Sequence, residues 1–93
     1  MCDRVEERIK KAARVLKEAG AREVYLFGSF ARGEIREGSD VDLAVSGLSP
    51  SLFFRAMARA RDVLGMPLDL IDLDEETPFT RYLKEEGELR LVR

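Results

Sequence analysis

Three short β-prone runs, EVYLF (23–27), VDLAV (41–45) and PLDLIDL (67–73), alternate with stretches of helical period, and no other feature constrains the fold as strongly. In the first helical stretch Val5, Ile9, Ala12, Leu16 and Ala19 recur on one face, with Asp3 placed to cap its start and Gly20 to end it. SPSLFFRAMARARDVLG (49–65) predicts a second helix, with Ser49 at the cap and Pro50 in the first turn. Leu52, Phe53, Ala56, Met57, Ala60, Val63 and Leu64 form its apolar face, and Gly65 is the stop. TPFTRYLKEEG (77–87) predicts a last helix between Thr77 and Gly87, and ELRLV (88–92) adds a short edge strand. Strands interleaved with helices predict an α+β fold, a small mixed β-sheet covered by helices.

Ninety-three residues suffice for one core, so the chain reads as one domain over 1–93, without repeat, linker or low-complexity segment. No apolar run reaches the length of a membrane span and MCDRVEERIK lacks an apolar signal segment, so a cytoplasmic protein with no membrane partner is expected. The lone Cys2 excludes an internal disulfide and a Cys-x-x-Cys site. Sixteen basic against eighteen acidic residues leave a net charge of -2, too little positive field for strong nucleic-acid binding. Histidine is absent, which removes Ser-His-Asp and Cys-His catalysis and histidine ligands together. Any chemistry must rest on carboxylates.

The segment GSFARGEIREGSDVDLAV (28–45) holds the means. Gly28 and Ser29 follow a strand at the start of a short helical turn through FAR, where unpaired N–H groups and a hydroxyl suit a phosphate. An ordinary turn uses the same dipeptide, so the pair alone decides nothing. Asp40 and Asp42 shift the balance. At i and i+2 of a strand they share a face, roughly 6.5 to 7 Å apart, and two such carboxylates resist ionising together unless a cation sits between them. Hard oxygen donors at this spacing suit Mg²⁺ or Mn²⁺. Val41, Leu43 and Val45 take the core face, leaving Asp40, Asp42 and the small Ala44 to line room for a ligand. A third carboxylate from a neighbouring strand is expected at Asp69, with Asp72 the alternative; Asp72 lies three residues on, so it faces the other way and joins the acidic run DLDEE.

Gly28-Ser29, ten residues, then Asp40-x-Asp42 resembles the signature of the nucleotidyltransferase superfamily related to DNA polymerase beta. The whole segment is similar to the Gly-Ser-x-Ala-Arg-Gly…Ser-Asp-x-Asp-Leu pattern of minimal nucleotidyltransferase (MNT) domains, and the likeness extends to LDLID and the closing EEGELRLV. Phe30 departs from it, standing where an arginine is frequent.

The resemblance implies the nucleotidyltransferase fold and transfer of a nucleoside monophosphate from ATP or another nucleoside triphosphate to an acceptor hydroxyl. It implies phosphate contacts at Gly28, Ser29 and Arg32, and Mg²⁺, as two ions, held by Asp40, Asp42 and Asp69, with Asp69 also helping to deprotonate the acceptor. MNT domains resemble antitoxins whose partner is a HEPN-domain toxin, which implies AMP transfer to a toxin tyrosine in trans and assembly with that partner or with a second copy. A catalytically silent antitoxin that blocks its partner, and an enzyme acting on a small molecule or an RNA end, are the alternatives. Arg55, Arg59 and Arg61 on the second helix read as solvated, and Phe79, Tyr82 and Leu83 on the last helix as core, with a partner surface as the other use of both sets.

Overall fold

The computed structural model describes residues 2–28, 30–33, 40–86 and 89–92. In chain order the elements are α1 (Cys2–Glu18), β1 (Glu23–Phe27), β2 (Val41–Ser46), α2 (Pro50–Leu64), β3 (Leu68–Asp72), α3 (Pro78–Glu86) and β4 (Arg90–Leu91). The strands form one sheet in the order β3-β2-β1-β4. β1 is antiparallel to β2 and β4, whereas β2 and β3, joined by α2, run parallel. This is the mixed sheet with helices that the alternating pattern predicts.

Strand periodicity sorts the side chains into two faces. Val24, Leu26, Val41, Leu43, Val45 and Leu70 point into the larger core against Ile9, Ala12 and Leu16 of α1 and Ala56, Ala60 and Leu64 of α2. Leu16, Leu43 and Leu64 are fully enclosed there, and each contributes about 1.5–3 kcal/mol through burial. The small Ala12, Ala56 and Ala60 are buried in this core, where α1 and α2 lie against each other. On the opposite face a smaller core joins Phe27, Ala44, Leu73 and Leu83.

α3 owes its position to a reciprocal cap. The Thr80 backbone N–H donates to Thr77 Oγ1 at 3.1 Å and the Thr77 N–H to Thr80 Oγ1 at 3.0 Å, a capping box with threonine in the place of the usual Glu or Gln. Thr80 Oγ1 also donates to the Glu75 carbonyl at 2.6 Å. So held, α3 lays Leu83 over Ala44.

Several expectations are corrected. α1 already includes Cys2, so Asp3 lies inside the helix rather than capping it. Ser49 occupies the cap position of α2, yet its hydroxyl pairs with Ser51 Oγ at 3.0 Å and makes no capping bond. Leu52 and Val63, assigned to the apolar face, are exposed, because the contact with α1 and the sheet is narrower than the sequence stripe. Phe79 and Tyr82 are about half exposed and only Leu83 is core, since α3 meets the sheet along one edge. β4 is confined to two residues. Gly87, the expected stop of the last helix, lies outside the described residues.

Candidate active site

Two rows of side chains cross the α3 face of the sheet. The strand registers set Tyr25 beside Ala44 and Ala44 beside Ile71; two residues along, Phe27 lies beside Asp42 and Asp42 beside Asp69. The first row is apolar and covered by α3. The second begins with Phe27, buried against α3, and turns acidic at Asp42 and Asp69. Ala44 is therefore buried and is no part of a ligand space, contrary to expectation, because Leu83 and Leu73 fill the volume above it.

Asp42 and Asp69 are direct neighbours in a parallel pair, so their side chains leave the sheet on one face. Asp42 is partly buried and Asp69 exposed. The Asp42 carboxyl is held above its ordinary pKa, first by burial, then by the charges of Asp69 and of Asp40. Asp40 stands just ahead of β2 and is exposed, so it belongs to the loop end and not to the strand. Asp72 pairs with Val45, on the opposite parity from Asp69, and its Oδ1 accepts the Asp74 N–H at 2.9 Å.

Gly28 completes the near side. It ends β1 with φ of 75°, and a Cβ there would overlap Asp42 Oδ2 and lie 3.2 Å from Asp42 Cγ. Only glycine permits both the backbone angle and this approach. The chain then makes a single turn, with the Arg32 N–H donating to the Gly28 carbonyl at 3.3 Å and the Gly33 N–H to the Phe30 carbonyl at 3.1 Å. Phe30 is 3% exposed and inserts into the larger core, so the residue that breaks the family pattern anchors the loop. Arg32 is exposed on this turn, while Ser29 lies outside the described residues.

Two features of the site escape sequence reasoning. Phe79 of α3 meets Phe27 edge-to-face, with ring centroids 6.1 Å apart, and so brings a half-exposed aromatic to the row that carries Asp42. The sequence signal was only an aromatic in the first turn of a helix. Phe30 gave none, having no periodic apolar neighbours in a polar loop.

Among the described residues, no three acidic or thiol side chains close around one point that an ion could fill. The donor set nevertheless suits Mg²⁺. Burial and the charges of Asp69 and Asp40 raise the cost of ionising Asp42, and a hard cation relieves that cost. Magnesium keeps waters and takes substrate oxygens, so it needs no complete protein cage.

Residues 7–91 match the polymerase beta nucleotidyltransferase family. The chain belongs to that family. It is thus a nucleotidyltransferase, built on a β1–turn–β2 unit in which a glycine abuts the second strand's aspartate. A candidate protein adenylyltransferase of Methanocaldococcus jannaschii is 29% identical over 87 residues, covering 88% of this chain and 89% of that protein. The solved structure of a candidate minimal nucleotidyltransferase superposes with a TM-score of 0.75 at 26% identity, over 98% of this chain and 93% of that one. A chain from the complex of a tri-AMPylated Shewanella oneidensis HEPN toxin with an MNT antitoxin shares the fold, with a TM-score of 0.68 at 18% identity over 96% and 71% of the two chains. No helix among the described residues is long and apolar enough to cross a membrane.

Proposed function

We propose that this nucleotidyltransferase moves AMP from ATP to the hydroxyl of a tyrosine in a HEPN toxin and so acts as the antitoxin. The observation that carries the reading is the pairing of Asp42 with Asp69 across β2 and β3, with Gly28 pressed against Asp42. The names borne by the relatives support it: a protein adenylyltransferase, and an MNT antitoxin bound to an AMPylated toxin.

In this mechanism the turn at Gly28 and Ser29 offers backbone N–H groups and a hydroxyl to the triphosphate, with Arg32 within the same turn to add positive charge. Asp40, Asp42 and Asp69 would hold Mg²⁺, as two ions, which supplies charge neutralisation at the phosphoryl oxygens when bound. Asp69, the exposed member of the strand pair, faces the acceptor and takes the proton of its hydroxyl. The freed oxygen attacks the α-phosphorus, the bond from that phosphorus to the β-bridging oxygen breaks, and pyrophosphate leaves with its electron pair. Asp42, between its neighbours, would give carboxylate oxygens to the ion that offsets the charge of the α-phosphate.

The test uses a HEPN toxin as the acceptor. Incubated with ATP, Mg²⁺ and this chain, it should gain AMP on tyrosine by intact-mass and peptide mass spectrometry, and gain none with Asp40→Asn. A partner left unmodified, yet neutralised equally well by Asp40→Asn, would replace catalysis with silent blocking.

A further inference from the structure

Phe79 is 48% exposed and packs on the end of the row Phe27–Asp42–Asp69. A single exposed phenylalanine is ordinary, but this one combines three features. It lies in the first turn of α3, where the reciprocal Thr77 and Thr80 bonds of 3.0 and 3.1 Å hold the backbone, so the ring is positioned before any ligand arrives. Its edge-to-face contact with Phe27, with 64° between the planes, occupies at most one face of the outer ring. Aromatic surface is thus left open beside the acidic row. The ring also borders a cavity of about 320 Å³ whose lining includes Ile71, two residues along β3 from Asp69 and on the same face of the sheet.

The chemistry of the row says which ring this surface meets. In-line displacement sets the attacking and leaving oxygens on opposite sides of the α-phosphorus. The Gly28 turn flanks Asp42 on the β1 side and Asp69 flanks it on the β3 side, so the leaving and attacking oxygens lie along the row. The ester oxygen that carries the nucleoside is then equatorial, and the nucleoside departs across the row. Toward α3 it meets Phe79. An acceptor's own ring, brought in with the attacking oxygen, would lie along the row beyond Asp69 instead.

We propose that Phe79 is the platform on which the nucleobase of the triphosphate stacks. This rests on the reading that the Gly28 turn and Asp42 hold the triphosphate. Every base has a π-face to offer, so the platform tolerates all of them, but a two-ring purine covers more of the phenyl ring than a pyrimidine does. Phe79 therefore favours ATP over UTP.

Calorimetric titration of the full chain in Mg²⁺ compares the α,β-methylene analogue of ATP, which resists cleavage at the bond that transfer breaks, with inorganic tripolyphosphate, which has no base. The wild type should bind the ATP analogue more tightly than tripolyphosphate. Phe79→Leu keeps apolar volume but lacks the π-face; it should weaken the ATP analogue about tenfold, leave tripolyphosphate within about twofold, and erase the preference for the ATP analogue over its UTP counterpart. Phe79→Trp should bind the ATP analogue at least as tightly as the wild type, which decides the matter even where Phe79→Leu fails to fold. Equal losses of both ligands with Phe79→Leu would make the ring a mere prop of the site and overturn the proposal. So would unchanged binding of the ATP analogue to Phe79→Leu, its weakened binding to Phe79→Trp, or a wild type that holds tripolyphosphate as tightly as the ATP analogue. These titrations contain no acceptor, so a HEPN toxin left unmodified by ATP would remove the antitoxin reading and leave the base platform standing.

Discussion

Gly28→Ala puts the closest contact of the site to a quantitative test. The substitution has two costs. A residue with a Cβ held at φ of 75° loses about 1–2 kcal/mol, of which the stiffer unfolded chain returns about 0.4–1. The new methyl also overlaps Asp42 Oδ2, so the carboxylate must turn off its rotamer for about 0.5–1.5 kcal/mol. The net destabilisation is about 1.5 kcal/mol, or about 6–12 °C in melting temperature for a domain of this size. Gly33 supplies the control: its φ of 80° is nearly the same, and among the described residues a Cβ there meets nothing within 4 Å. Gly33→Ala should therefore cost about 1 kcal/mol less than Gly28→Ala. In an Asp42→Ala background the two should cost the same, giving a coupling of about 1 kcal/mol between positions 28 and 42 by urea melts. Transfer should fall far more with Gly28→Ala than with Gly33→Ala, since only the former displaces Asp42. Equal costs for the two alanines in the wild-type background would refute the claim that Gly28 is required by Asp42.

Asp42→Asn should stabilise the apo protein at neutral pH while abolishing transfer. The folded carboxyl has a raised pKa, so its favourable contribution is complete below the unfolded pKa and fades as pH rises through the folded one. The gap between the variant and wild type should accordingly close in acid, as read from denaturant midpoints across pH. Asp69→Asn should abolish transfer and Asp72→Asn should spare most of it, because Asp72 caps its own turn and lies on the other face of β3; a steady-state rate for each variant decides the matter. Thr80→Val should cost about 1–3 kcal/mol in thermal or urea melts, leaving the Thr77 N–H and the Glu75 carbonyl without their buried partner.

The strands and the acidic pair were legible because both are local. A five-residue β-prone run ending in a glycine and two carboxylates at i, i+2 need no tertiary information to be seen. The parity that sets Asp69 apart from Asp72 was legible too, by counting residues. Its register against Asp42 was not, since nothing in either strand alone specifies which residues pair. Helix docking hid other features. Ala44 looked like open space until α3 laid Leu83 over it, and Phe79 and Tyr82 looked like core until that helix met the sheet along one edge. Phe30 was unreadable for a different reason: a single aromatic in a polar loop has no period, and only the three-dimensional path of the turn takes it into the core.

The central claim is that this site transfers a nucleotidyl group through the carboxylates that converge on β2 and β3. It is tested most directly by comparing ATP labelled at the α-phosphate with ATP labelled at the γ-phosphate, each incubated with Mg²⁺, this chain and the proposed HEPN partner. The account predicts that label from the α-phosphate becomes attached to the partner with matching release of pyrophosphate, that label from the γ-phosphate does not, and that Asp42→Asn removes the transfer. Attachment of the γ-label, or α-label transfer undiminished by Asp42→Asn, would contradict it.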